Sequence, residues 1–379
     1  MSGMNYSSLL ADIDRLYPPE RIERSRRRLR AVWWGAAKPD RLPFVFTNFP
    51  ADDNTPADGN TPAPVGNEEL LNGQSEAIIA RACLQDDYIP SLFPGVRQGL
   101  LPTAYGAHEV QSGGHTWVEP ILRDAQDVFQ LGRPDFSRQG VAAEFLETIR
   151  FFRAATQGRL PIQMPDMQGP LDLANNMWGT EGLLLAMQEA PQAAHRLLQM
   201  MTDDYIRYMC LVREAAQGDW VPLHCMPVVW LPPALGAALS EDLLAVLSPR
   251  LYRAYGPPYN RQIAAAFGGI IVHSCGSVEH NLAPLAATPG LVGVNVSITE
   301  TSLSTAMHAV GSQRVLLVHH AALTCNALPT LTPEGFVRTC LPALVRGHWR
   351  SIPMIGPLEF SRQQAQDLVP LAESLAIIS

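Results

Sequence analysis

Residues 271–277 read IVHSCGS. Side chains alternate across a strand, so His273 and Cys275 point to the same face if the strand continues. An imidazole and a thiolate on one face make half of a zinc site. Other reactive residues end similar apolar runs. RVLLVHH (314–320) closes on His319 and His320, with Cys325 shortly after. LVGVNVSI (291–298) stops just before Glu300, LPIQMPDM (160–167) carries Asp166, and WVPLHCMPVVW (220–230) carries His224 and Cys225. Taken singly, each has a plain alternative. Glu300 alone reads as an acid favoured at a helix N-terminus, and Cys225 and Cys340 as small buried hydrophobes. Adjacent residues of a strand point to opposite faces, so His319 and His320 do not both face one site.

The apolar runs that carry these residues alternate with helical patterns. Strands are expected near 42–49, 160–167, 220–230, 268–275, 291–298, 314–320 and 351–357, and HTWVEPIL (115–122) brings the total to eight. Helices are expected between them, including 248–267 with Ser248 as N-cap and one beginning at Thr332. Strand–helix alternation argues for a parallel sheet covered by helices, and eight strands fit a single closed (β/α)8 barrel over 1–379, with residues 1–40 as an N-terminal helical extension. No GxGxxG follows any strand, which disfavours an open dinucleotide-binding sheet. In a barrel the active site sits at the C-terminal strand ends, where the residues above converge. The arginine-rich RIERSRRRLRAVWWG (21–35) reads as a solvated helix face. ADDNTPADGNTPAPVGN (51–67) reads as a long loop.

The chain has 379 residues, net charge −8 and a pI near 5.7, so attraction to nucleic acid or an anionic membrane is not expected. No run is apolar enough to span a bilayer and the N-terminus has no signal-peptide pattern, so a cytoplasmic protein is expected. The six cysteines are scattered and read as thiols.

Several stretches together resemble the uroporphyrinogen decarboxylase superfamily, most of all its methylcobamide:coenzyme M methyltransferase-like branch. They are AVWWGAAKPDRLPF (31–44), QGPLDLANNMWGTEGLLLAMQEAP (168–191), LSPRLYRAYGPPYNRQI (247–263) and IVHSCG (271–276). The resemblance spans nearly the whole chain and implies a (β/α)8 barrel. It also implies zinc held by His273 and Cys275, with Glu300 at a position where related methionine synthases place a glutamate. The distant cysteine of the family pattern falls near SIPMIGP (351–357), where this chain has none; Cys325, His319, His320, a substrate or water would complete the shell, or the site is degraded. The implied reaction moves a methyl group from a corrinoid, methylcobalamin carried on a separate protein, to a metal-activated thiol. This chain has no DxHxxG corrinoid-binding string. Barrels of the family often pair as homodimers.

Two other readings stand beside this one. A decarboxylase-like lyase acting on a carboxylated substrate would use Asp166 or His319 as acid or base. A barrel that kept the fold and lost the chemistry would serve as a binding module. The decarboxylase branch's arginine motif is not found, and Asp86 and Asp87 lack its aspartate pattern. Tyr105 and His108, in AYGAHEV, are candidate pocket residues for the cofactor or small-molecule substrate.

Overall fold

The computed structural model describes residues 6–47, 66–112, 115–218, 220–221, 229–321, 328–356 and 361–378. Their strands are β1 (Val45–Phe46), β2 (His108–Ser112), β3 (His115–Glu119), β4 (Ile162–Gln163), β5 (Trp220–Val221), β6 (Ala237–Ser240), β7 (Ile270–His273), β8 (Leu291–Ser297), β9 (Val315–His319) and β10 (Ser351–Ile355). Six of them form one parallel sheet in the order β1-β10-β9-β8-β7-β6. Their residues are almost wholly buried and rich in Val, Ile and Leu, as strands covered on both faces must be.

The two edges of that sheet are joined by extended backbone. The Asp87 N–H donates to Phe44 O (2.9 Å), and Leu92 bridges Ile162 in parallel. β4 pairs with β5, while further along the same segment Gln168 bridges Ser240 of β6. The ring therefore closes through eight staves, at 45–46, 88–92, 162–168, 237–240, 270–273, 291–297, 315–319 and 351–355, as a (β/α)8 barrel.

One strand expectation needs correction. Residues 115–122 do not supply a stave: β3 pairs antiparallel with β2 in a separate ribbon, with Trp117 57% exposed. The stave comes instead from 88–92, a proline-containing stretch too short to show a period. The strand expected over 220–230 is seen only at β5; His224 and Cys225 lie outside the described residues, as does most of the expected loop 51–67. The barrel's fourth position is completed by β6, which the sequence reading passed over. The helix expected over 248–267 is two helices, Pro249–Tyr255 and Pro257–Phe267, because the Gly256-Pro257 step interrupts it. Ser248 and Thr332 do cap as expected, accepting from Leu251 N–H and Gly335 N–H.

The extension folds as helices Ser7–Leu16 and Pro19–Trp34. The second is not merely a solvated face. Arg21 is buried and donates to Ala82 O (2.8 Å), and Arg28 reaches both Asp40 and Asp87. Arg350, just ahead of β10, donates to Val32 O and Trp33 O (2.9 and 2.6 Å). This helix thus seals the N-terminal end of the barrel and leaves the C-terminal end for chemistry. Among the described residues no helix is long and apolar enough to cross a membrane.

Gly236, at the entrance to β6, has φ +78°, and a Cβ there would stand 2.8 Å from Gly269 O. Gly236→Ala is expected to cost about 1–3 kcal/mol, from the left-handed conformation and the carbonyl clash together. Urea unfolding of the variant checks this, and an unchanged midpoint would contradict it.

Candidate metal centre at the C-terminal mouth

β7 delivers His273 to the mouth, and the chain then turns at Ser274 to bring Cys275 back beside it. His273 Nε2 lies 3.3 Å from Cys275 Sγ. On its other side His273 Nδ1 lies 2.7 Å from Asn295 Oδ1 in β8, the residue paired with it in register. Asn295 Nδ2 donates to Leu317 O (3.1 Å), so the amide oxygen is the atom facing the imidazole. Nδ1 therefore carries the hydrogen, and Nε2 presents its lone pair toward the thiol.

β6 delivers the third donor. Asp242, immediately beyond the Ser240-Glu241 strand end, accepts from the Cys275 N–H through Oδ1 (2.6 Å). Ligand atoms of Asp242, His273 and Cys275 all lie within 4.8 Å of one another. Asp242 is itself placed by Asp172, a buried residue in the first turn of helix Pro170–Trp178. The Asp172 carboxyl accepts from the N–H groups of Asp242 (2.6 Å) and Leu243 (2.9 Å). Burial, then the neighbouring Asp242 charge, pushes Asp172 well above the usual carboxylate range.

Glu300 follows β8 and is 3% exposed. Its carboxyl is pushed up to about 6, first by burial and further by Asp242, against a lowering hydrogen bond from the Gly276 N–H. Its Oε1 is buried without a hydrogen-bond partner among the described residues. Burial pushes the Cys275 thiol far up, and the charges of Asp242, Glu300, Asp166 and Asp172 push it further. Left to itself this sulfur stays a thiol whose S–H donates to His273 Nε2.

The other sequence candidates divide clearly. Asp166 stands close enough for its charge to bear on Cys275. His319 ends β9 with its ring 6.3 Å from the His273 ring, at the same mouth. His320 is not brought there. As the alternation of strand faces requires, it turns into the helix layer, where Nε2 lies 2.6 Å from Leu331 O and the ring centroid lies 5.0 Å from that of Phe336. Cys325 lies outside the described residues. Tyr105 and His108 are not at this cluster. The Tyr105 hydroxyl donates to Asp204, and the residue lines a separate cavity of about 390 Å³ with Leu122, Asp127, Arg133 and Gln139. His108 is exposed on the β2 ribbon.

Asp242, Asn295 and Asp172 were missed in the sequence. Asn295 had a signal, as the one amide inside the apolar run LVGVNVSI. Asp242 had none once AALS went unread as a strand. Asn295→Ala is expected to lower zinc affinity about 10–100-fold, the usual effect of losing the group that orients a histidine ligand. Competition against a chromophoric chelator reads this, and Asn295→Asp, which keeps an acceptor at Nδ1, should restore much of it. Equal affinity in wild type and Asn295→Ala would contradict the assignment.

The donor set suits a divalent cation of zinc's kind. It combines one thiol, one imidazole lone pair and carboxylate oxygens with an orphaned buried oxygen on Glu300, and the surrounding charge needs a positive partner.

Comparison with known proteins agrees with the fold. The family model described as uroporphyrinogen decarboxylase (URO-D) matches residues 102–220. Among solved structures the chain is similar to a methyltransferase from Methanosarcina mazei, at 17% identity and a TM-score of 0.66, covering 92% of this chain and 98% of that one. It is also similar to a B12-independent methionine synthase from Shewanella sp. W3-18-1 in complex with selenomethionine, at 11% identity and a TM-score of 0.49, covering 89% and 97%. No curated protein matches the chain. A likeness to the uroporphyrinogen decarboxylase family is thus shown over residues 102–220, which include the stretch 168–191, and the solved structure agrees with a (β/α)8 barrel. The matched segment ends before the cluster of Asp242, His273 and Cys275 begins.

Proposed function

We propose that the chain is a zinc-dependent enzyme that moves a methyl group from a corrinoid to the sulfur of a small thiol. The observation that carries this reading is the convergence of His273, Cys275 and Asp242 at the barrel mouth. His273 and Cys275 are the zinc ligands, and Asp242 provides the third protein donor that the sequence left open among Cys325, His319 and His320. A zinc ion held there supplies the positive charge that makes an acceptor thiol acidic at neutral pH.

The chain's own residues set up the rest. Asn295 fixes the His273 tautomer, Asp172 holds Asp242 in place, and Asp166, Glu300 and His319 line the approach. A methylated corrinoid presented at this mouth would supply the methyl group: the acceptor sulfur's lone pair would form the new S–C bond as the carbon–cobalt bond broke, the bond's electron pair would stay with the corrinoid, and the thiol proton would leave to solvent. The corrinoid arrives on a separate protein, since the sequence has no corrinoid-binding string. The similar M. mazei protein is a methyltransferase, which accords with this reading. A decarboxylase-type lyase fits less well, because holding substrate carboxylates needs cations, whereas the charges bearing most on Cys275 are carboxylates.

Elemental analysis of protein purified without chelators tests the proposal. About one zinc per chain is expected; protein that takes up no zinc even when supplied with it would sink it.

A further inference from the structure

We infer that Glu241 is a positioning residue for the metal centre, acting through Asp242 and His273; this rests on the zinc reading above. Glu241 sits between the end of β6 and Asp242 and is fully buried. Its main chain and its side chain are held by different elements. The Glu241 N–H donates to His273 O (2.8 Å), which ties the end of β6 to the residue that supplies the imidazole. The side chain reaches the helix layer. There Oε2 accepts from Asn260 Nδ2 (2.8 Å), and Asn260, in helix Pro257–Phe267, is itself fully buried.

The same carboxyl lies across Gly169, where a Cβ would stand 2.6 Å from Glu241 Cγ and 2.8 Å from Oε1. The Gly169 N–H donates to Ser240 O (2.7 Å), and the helix that follows Gly169 carries Asp172 in its first turn. One residue thus joins the segments that supply His273, Asp242 and Asp172. The residue type argues for more than filling space. Burying a carboxyl carries a desolvation cost that a methionine of similar size does not. A hydrogen bond at a fixed point sets orientation, which apolar packing alone does not. Rotation of the Glu241–Asp242 link would carry the Asp242 carboxyl away from the Cys275 N–H, 2.6 Å from it. The tie from Glu241 to Asn260 opposes that rotation.

Zinc affinity, read by competition with a chromophoric chelator, tests this. Glu241→Met fills the space but gives Asn260 no acceptor; Asn260→Ala removes the donor and leaves Glu241 in place. Each is expected to weaken zinc binding about tenfold or more, the scale on which outer partners of metal ligands act, while Glu241→Gln, which keeps an acceptor for Asn260, stays within about threefold of wild type. Because the pair acts as a unit, the double variant should bind no more weakly than the worse single one. With cobalt(II) in place of zinc, the visible bands of wild type and Glu241→Gln should coincide, and those of Glu241→Met should shift. Asp87→Asn, at the sealed end, controls for stability and should bind zinc as wild type does. If Glu241→Met fails to fold, Asn260→Ala decides. Wild-type affinity in Asn260→Ala or in folded Glu241→Met, or an equal loss in Asp87→Asn, would overturn the inference and leave the zinc site standing. Wild-type protein that binds no zinc would overturn the zinc reading, and this inference with it.

Discussion

Replacing Cys275 with alanine is expected to strip the protein of its metal and abolish methyl transfer while leaving it folded. The side chain is half-buried in a turn, and the scaffold around it depends on its backbone. Its N–H, not its sulfur, engages Asp242. His273 keeps its bond to Asn295, and Asp242 keeps its place through Asp172. What is lost is the only soft donor among the three clustered side chains. Zinc affinity should fall by more than the roughly 10–100-fold typical of an outer-shell change, and zinc content should drop from about one per chain to near zero after dialysis. Cys275→Ala that retained full zinc would remove Cys275 from the ligand set. Circular dichroism and urea unfolding on the same sample separate metal loss from misfolding.

The second large effect is structural. Asp87 is fully buried, with one oxygen 2.6 Å from Arg41 and the other 3.2 Å from Arg28, and it accepts the Phe44 N–H (3.2 Å). It ties the first stave to the second near the sealed end. Asp87→Ala leaves the Arg41 guanidinium, 5% exposed, with only distant Glu373 (3.9 Å) as a carboxylate among the described residues. Removing one partner of a buried pair typically costs about 3–5 kcal/mol, a large part of the roughly 5–15 kcal/mol that stabilises a domain. Urea unfolding should show that loss, and Asp87→Asn should cost less because it retains an acceptor. A loss below about 1 kcal/mol, the scale of an exposed pair, would mean that water reaches the site. This arrangement also explains why the acidic pair in QDDYIP has no part in the chemistry proposed: Asp86 is likewise spent, on Arg81 and the Phe46 N–H.

The strands that sequence reading found are those with continuous apolar runs: GGIIVH, LVGVNVSI, RVLLVHH and SIPMI. Burial on both faces forces that composition, and the same strands carry His273, His319 and Glu300 to the mouth. The reading failed where composition and burial part company. HTWVE has β-branched and aromatic residues but forms an exposed ribbon, whereas YIPSL and AALS look like loops and are buried staves. That second failure hid Asp242. Its role as a candidate ligand depends on β6 lying beside β7, a pairing between residues more than 30 apart that no local pattern encodes. His320 shows the opposite case. Strand alternation required it to face away from His319, and it does.

Methyl transfer itself is the most direct test. Zinc-loaded protein is mixed with methylcobalamin and, in turn, with 2-aminoethanethiol, 2-mercaptoethanol and 2-mercaptoethanesulfonate, and loss of the methyl–cobalt absorbance is followed together with the thioether by chromatography. The account expects one thioether per methyl group lost, no reaction after zinc is removed by a chelator, and recovery on adding zinc back. Protein that holds its zinc yet forms no thioether, or that forms it equally well after zinc removal, would contradict the account.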